Sequence, residues 1–401
     1  MTGTKKSSLA AVALAVAVAA ALAVTACGQQ RPAGPASASV TSAGNSAPAT
    51  TGHEGRIAPV SVSFASPSDG WLLAVPPCAR QAHPCRTLLL RRTTDGGRSW
   101  APATPPPAPY AGLSAHPADA VGQILFTSRR DGWAYGPGLW RTVNGGASWR
   151  RVGFSGGQVL GVAAAGSRLL VLAGRCSSAG SAAGSATGSA ACRFTVYSSP
   201  ARPGAWHRVQ VASGRYAGAA VLTASGGTGY VLATLRLGPP LLLAGPADGS
   251  ARWRQAREPC GGSWSTAFAA AGRRLFLGCG SEPGAGTQSK TAYVSANGGL
   301  NWHRVANPPI GGYLGAASMT PGGLILLSGG RMDVYISRDF GRSWHTSPSL
   351  AAAASLAGAG FSLVASATGD ATGYAFQESV YRHQFWLTSD GGRHWTAVTV
   401  R

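Results

Sequence analysis

Apolar and polar residues alternate along most of this chain in short runs broken by Gly, Pro, Asp and Ser. Residues 60–64 (VSVSF) put their apolar side chains on one face, and runs of similar length follow at 71–75 (WLLAV) and 87–92 (TLLLRR), with a short fourth run from Trp100. The same set of four closes the chain at 361–367, 373–376, 385–389 and 395–400. A period of two bounded by turn residues predicts half-buried strands. Two stretches depart from it. Residues 9–24 are continuously apolar and small, and residues 28–55 hold almost no large apolar side chain.

Between the third and fourth runs an octapeptide recurs, Ser/Thr-x-Asp/Asn-x-Gly-x-x-Trp. It reads TTDGGRSW to Trp100 through Asp95, TVNGGASW to Trp149 through Asn144, and SANGGLNW to Trp302 through Asn297. It returns as SRDFGRSW to Trp344 through Asp339 and TSDGGRHW to Trp395 through Asp390. Two degenerate copies lie between: SSPARPGAW ends at Trp206, and PADGSARW keeps Asp248 and Trp253 but has no hydroxyl at its first position. The seven tryptophans are spaced by 42 to 57 residues.

Each position has a reason. The Asp or Asn accepts from loop amides and starts a turn, and the hydroxyl does the same more weakly. The Gly permits positive φ, and the Trp packs beside the next strand with its N–H available to an acceptor. The motif is therefore a hairpin clasp with a structural role. Four strands in each unit of about 50 residues are the mark of propeller blades. The expected fold is all-β: one seven-bladed β-propeller over residues 56–401, four antiparallel strands per blade. Both terminal units look complete, so the ring should close without exchanging a strand between its ends.

The first 27 residues read as an export signal. Lys5 and Lys6 precede the apolar stretch, and Val24-Thr25-Ala26-Cys27 closes it like a lipobox. Such a segment is a removable signal rather than a spanning helix. Lipidation of Cys27 would anchor the mature chain to the extracytoplasmic face of the cell membrane. Residues 28–55 cannot bury enough surface to offset their ordering entropy and read as a flexible tether.

Charge sharpens the picture only partly. Lys and Arg total 34 against 13 Asp and Glu, for a net charge of +21. A basic surface attracts anionic lipids and envelope polymers, although an Arg-rich, Ala- and Gly-rich composition also follows from a GC-rich genome. An exported, tethered chain without a nucleic-acid motif argues against nucleic acid as a partner. The chain is expected to be monomeric.

The clasps and their spacing resemble the Asp-box, or bacterial neuraminidase repeat, propellers, which include sialidases and related glycosidases. A second signature, the turns SPSDGW at 66–71 and SRRDGW at 128–133, is similar to the photosystem II stability/assembly factor-like propellers. Looser echoes stand at 226–230 and 369–374. The resemblance covers residues 60–401, weakly in blades three and four. It implies a binding or assembly scaffold, and it brings no catalytic residues and no cofactor.

Apart from Cys27, six cysteines remain, an even set for an exported chain. Strand topology pairs Cys78 with Cys85, Cys176 with Cys192 and Cys260 with Cys279, each at one end of neighbouring antiparallel strands. A Cys-based metal site is the alternative, though there is no Cys-x-x-Cys pair; no metal is expected. All three bridges would then reinforce the rim that lacks clasps, where propellers usually bind ligands. The candidate binding face on that rim comprises Arg80, Arg86, Tyr110, Arg215, Tyr216, Arg257, Glu258, Tyr313, Arg331, Tyr381 and Arg382. Arginines there would pair with carboxylate or phosphate, and aromatics would stack on sugar rings. Scattered solvated arginines are the competing account.

Acids are scarce. Asp95, Asp248, Asp339 and Asp390 belong to clasps, and Asp69, Asp131 and Asp370 to turns, leaving Glu54, Asp119, Glu258, Glu282, Asp333 and Glu378. A sialidase-like site needs an arginine cluster, a tyrosine nucleophile with a Glu partner, and an acid. Glu258 beside Arg257, and Tyr381 near Glu378, are the pairings that could supply one. The expected function is a membrane-tethered, non-catalytic scaffold for a partner protein or an anionic envelope polymer. A divergent glycoside hydrolase is the alternative.

Overall fold

The computed structural model describes residues 57–76, 87–111, 118–176, 191–200, 206–235, 240–261, 263, 265–282, 284, 287–309, 311–329, 334–347, 350, 362–378 and 385–401. These form 27 strands arranged as a seven-bladed β-propeller. Blade one runs from strand Ala58–Phe64 to strand Ala101–Ala103, and blade two from Gln123–Phe126 to Arg150–Arg151. Blades five, six and seven span Ser265–Ala271 to His303–Arg304, Leu314–Met319 to His345–Thr346, and Ser362–Ala367 to Thr396–Val398. Each of these five is a separate four-stranded antiparallel sheet in chain order.

Blades three and four depart from that plan. Seven strands join in one sheet, because the strand His207–Ser225 is 19 residues long and serves both blades. Its first half pairs with Ala191–Pro200 as the outer strand of blade three. From Tyr216 onward it pairs with Thr228–Leu235 as the inner strand of blade four.

At five of the seven seams first strands touch first strands, so they line the axis. Second strands are buried along their whole length in blade one (Gly70–Val75) and blade two (Gly132–Tyr135), as they lie between neighbours in their own sheet and both adjoining sheets. Core clusters accordingly form between blades rather than within them. One joins Trp71, Leu73 and Leu90 of blade one to Ile124, Phe126 and Trp140 of blade two. Another joins Val62 and Leu72 of blade one to Tyr374, Phe376 and Phe385 of blade seven.

That second cluster closes the ring without exchanging a strand. The Ile57 amide donates to the Val400 carbonyl (3.3 Å), and the Tyr374 hydroxyl to the Val62 carbonyl (3.0 Å). Ile57 precedes the first strand at the end opposite its turn into the second. The chain therefore enters the disc on the clasp-free rim. Among the described residues no helix is long and apolar enough to cross a membrane.

Candidate functional site

The five complete octapeptides close identically. The Thr93 hydroxyl donates to Asp95 Oδ1 (2.7 Å) and accepts from the Gly97 amide (2.9 Å), while Asp95 Oδ1 also accepts from the Ser99 amide (3.0 Å). The same three bonds recur around Asn144, Asn297, Asp339 and Asp390. The residue after the Asp or Asn takes positive φ, for example +71° at Gly145. In blade six Phe340 holds this position at φ 59° and is the positive-φ residue other than glycine among those described. Such a conformation strains a bulky side chain. The Arg274 guanidinium, 4.3 Å from its ring centroid, helps hold it.

These bonds settle the ionisation of the clasp acids. The Ser99 hydroxyl, followed by its amide and the Thr93 hydroxyl, brings Asp95 down to about 2. Burial works against the charge on Asp339 and Asp390, but donors from Ser343 and His394 outweigh it and both lie below the usual carboxylate range. Asp69, almost fully buried in the first turn of blade one, is likewise lowered: burial opposes its charge, but the Arg129 bond (2.9 Å, from blade two) and the Ser66 hydroxyl prevail. Asp131 accepts from the Ser128 hydroxyl, Asp248 from the Ser250 amide, and Asp370 from the Gly322 amide of blade six. Asp69, Asp95, Asp248, Asp339 and Asp390 are thus held below the usual carboxylate range by the donors around them, and Asp131 and Asp370 serve as acceptors for a turn hydroxyl and for an amide of the neighbouring blade.

The clasp tryptophans do two jobs. Trp149, Trp302 and Trp344 each donate their indole N–H to a carbonyl just past the last strand of the preceding blade: Thr104 (2.8 Å), Arg257 (2.7 Å) and Ala306 (2.9 Å). Trp253 and Trp395 donate instead within their own turns, to Pro246 and Gly392. Trp100, at the ring-closing seam, packs edge-on against Phe64 and Phe385, and its buried indole nitrogen has no acceptor. One seam contact was not legible in the sequence: Trp71 stacks on Phe126 (centroids 3.8 Å apart) and donates to the Gly145 carbonyl of the next blade (2.9 Å).

The described members of the candidate face fall at separate blade connections on the clasp-free rim. Arg215 and Tyr216 lie where the shared strand passes from blade three to blade four. Exposed Arg257 and half-buried Glu258 follow the last strand of blade four, and Tyr313, 41% exposed, precedes the first strand of blade six. Tyr110 forms a parallel bridge with Val121 in the connection from blade one to two, half-buried against the core. Arg80, Arg86, Arg331, Tyr381, Arg382, Cys27, Cys78 and Cys85 lie outside the described residues.

Cys260 and Cys279 form a disulfide with Cα atoms 5.4 Å apart. Cys176 and Cys192 stand directly opposite in the ladder of blade three. Glu258 has an oxygen that lies with both disulfide sulfurs inside a 4.8 Å group, but sulfurs joined to each other have no thiolate to offer a metal. Burial raises the Glu258 carboxyl above its ordinary value; Oε1 accepts from the Cys260 amide, and buried Oε2 has no partner.

The clasp rim is rich in arginine, which the octapeptide pattern does not require. Described arginines are numerous there: Arg98, Arg129, Arg130, Arg273, Arg274, Arg338, Arg342 and Arg393 all sit in clasps or first turns.

The fold is a seven-bladed β-propeller. No family model and no curated protein matches the sequence. Two solved structures share the fold at low identity. One is YCF48 bound to D1 peptide: TM-score 0.52, 18% identity, covering 84% of this chain and 93% of that one. The other is YCF48 from Cyanidioschyzon merolae: TM-score 0.51, 17% identity, covering 84% and 96%. An α-L-arabinofuranosidase from Fusarium graminearum overlaps less well, with TM-score 0.43 and 13% identity over 86% and 96% of the two chains.

Proposed function

We propose that this chain is an exported lipoprotein whose Asp-box propeller acts as a non-catalytic scaffold, holding a partner protein on its clasp-free rim. The observation that carries this reading is the state of its acids: seven aspartates are consumed by turns. The described part of that rim exposes Arg257 and Tyr313, with half-buried Tyr110 at another blade connection, alongside the acids Asp119, Glu258 and Glu282. Arginine and tyrosine anchor protein partners. A neighbour of the same fold binds a peptide. The entry of the chain at Ile57 supports the geometry, since a tether of residues 28–55 from lipidated Cys27 would emerge on the rim that binds. The partner could then lie in or at the membrane. An anionic envelope polymer is the second occupant of this chemistry. A divergent glycoside hydrolase rests on Glu258, the carboxyl that burial raises, and on the pairing of Glu378 with Tyr381, which lies outside the described residues.

A photo-crosslinking amino acid at Tyr313 should capture one defined envelope protein from intact cells, and the same probe at Leu300, exposed on the clasp rim, should not. Cys27→Ala should move the protein from the membrane to the soluble fraction and weaken the capture. Equal capture from both rims, or membrane retention of Cys27→Ala, would overturn the corresponding part of the reading.

A further inference from the structure

The seams between blades six and seven and between blades seven and one each contain a cleft built from the same positions. At the first, of about 410 Å³, the lining is Ile336, Arg338, His345, Thr346, Ser347, Gly392 and Arg393. At the second, of about 650 Å³, Leu387, Ser389, Thr396 and Arg98 occupy the places of Ile336, Arg338, His345 and Arg393, and Asp95 also reaches the wall. The second cleft is also walled by Phe64, Pro67 and Thr368, and at the shared positions the charges differ. One cleft presents two guanidiniums and an imidazole with no carboxylate in its lining; the other balances one guanidinium with one carboxylate.

Arg338 is poorly accommodated by the protein alone. Its side chain crosses the seam and lies over the clasp of blade seven, so that a Cβ on Gly391 would fall 3.2 Å from its Nε. That Nε is buried and has no hydrogen-bond partner. Asp390, the carboxylate nearest in the chain to Arg393, has its oxygens taken by Thr388 and His394. Arg393 makes only a long bond to the Asp390 carbonyl (3.4 Å). Burial and the neighbouring Arg393 charge disfavour the Arg338 cation and outweigh the opposing pull of the Asp390 carboxylate. A guanidinium whose Nε is buried without an acceptor is incompletely satisfied by the protein, and an anion held by its terminal nitrogens would offset the uncompensated charge.

We propose that this cleft is an oxyanion site that takes a phosphate group between Arg338 and Arg393, with His345 and the Thr346 hydroxyl at its mouth. A single guanidinium satisfies a carboxylate in bidentate fashion; two guanidiniums and a hydroxyl converging from both sides of a seam fit the three or more oxygens of a phosphate. The site lies on the opposite rim from the proposed partner surface and stands or falls separately from it. It would also act as a clip, since the ligand bridges a clasp of blade six to one of blade seven.

Calorimetric titration of the full-length protein in detergent with inorganic phosphate, at constant ionic strength, tests the assignment. Arg338→Gln and Arg393→Gln should each weaken binding at least tenfold, and Arg338→Lys, which keeps the charge but loses the fork, several-fold. Arg98→Gln in the sister cleft and Arg342→Gln on the exposed side of the blade-six clasp should change it less than twofold. Far-ultraviolet circular dichroism of each variant checks folding. Glycerol 3-phosphate and phosphatidylglycerol vesicles then separate the sources: saturable Arg338-dependent binding of the first supports a soluble or polymer phosphate, and Arg338-dependent sedimentation with the second supports a lipid headgroup. Phosphate binding no tighter than chloride, or an equal loss in Arg98→Gln, would overturn the proposal.

Discussion

Blades one, two, five, six and seven are held at the rim by complete clasps; blades three and four are not, and the contrast shows two ways to build one ring. In the clasped sector each turn satisfies itself, and three of its tryptophans reach back to the preceding blade. Where the octapeptide degenerates, the backbone takes over: one strand of 19 residues passes unbroken through the seam and joins two blades in a single sheet. Trp253 survives there without its hydroxyl partner, 4% exposed, and packs so closely that a Cβ on Gly245 would fall 2.2 Å from its Cδ1. A motif read as one device thus separates into a hydrogen-bonded turn and an apolar wedge, and the wedge is the part that persists.

Three substitutions test this separation, in order of expected effect. Trp253→Ala should destabilise by about 3–5 kcal/mol, since it opens a large cavity in the apolar cluster between blades three and four. Trp302→Ala, half-buried within a complete clasp, should cost less; chemical denaturation of both variants decides, and the reverse order would break the comparison. Deleting a clasp hydroxyl comes next. Thr142→Val leaves the buried Gly146 amide without its acceptor and should cost about 1–2 kcal/mol, with early amide exchange confined to blade two.

The smallest effect concerns acid. Clasp carboxylates have folded values below the usual 3.8, about 2 at Asp95, so their contribution is complete above pH 4 and is lost as pH falls toward 2. Asn144 and Asn297 make the equivalent bonds without a titrating group. Replacing Asp95, Asp339 and Asp390 together by Asn should therefore flatten the fall in melting temperature between pH 4 and 2 and leave stability at pH 7 little changed. A slope as steep as that of the parent would exclude these turns as the acid-sensitive points.

Local chemistry determined the clasps, the count of blades and the closure without strand exchange. Those features follow from period-two alternation, turn residues and a repeated tryptophan, all local in the chain. The disulfide of Cys260 and Cys279 was legible for the same reason, because antiparallel neighbours bring nearby residues opposite each other. Tertiary structure alone decided what happens at the seams. The passage of one strand through blades three and four, the stack of Trp71 on Phe126, the unaccepted indole of Trp100 and the meeting of Arg338 with Arg393 all join residues of different blades. No local rule encodes such contacts: each blade is specified by its own residues, but the surface between two blades exists only once the ring has closed.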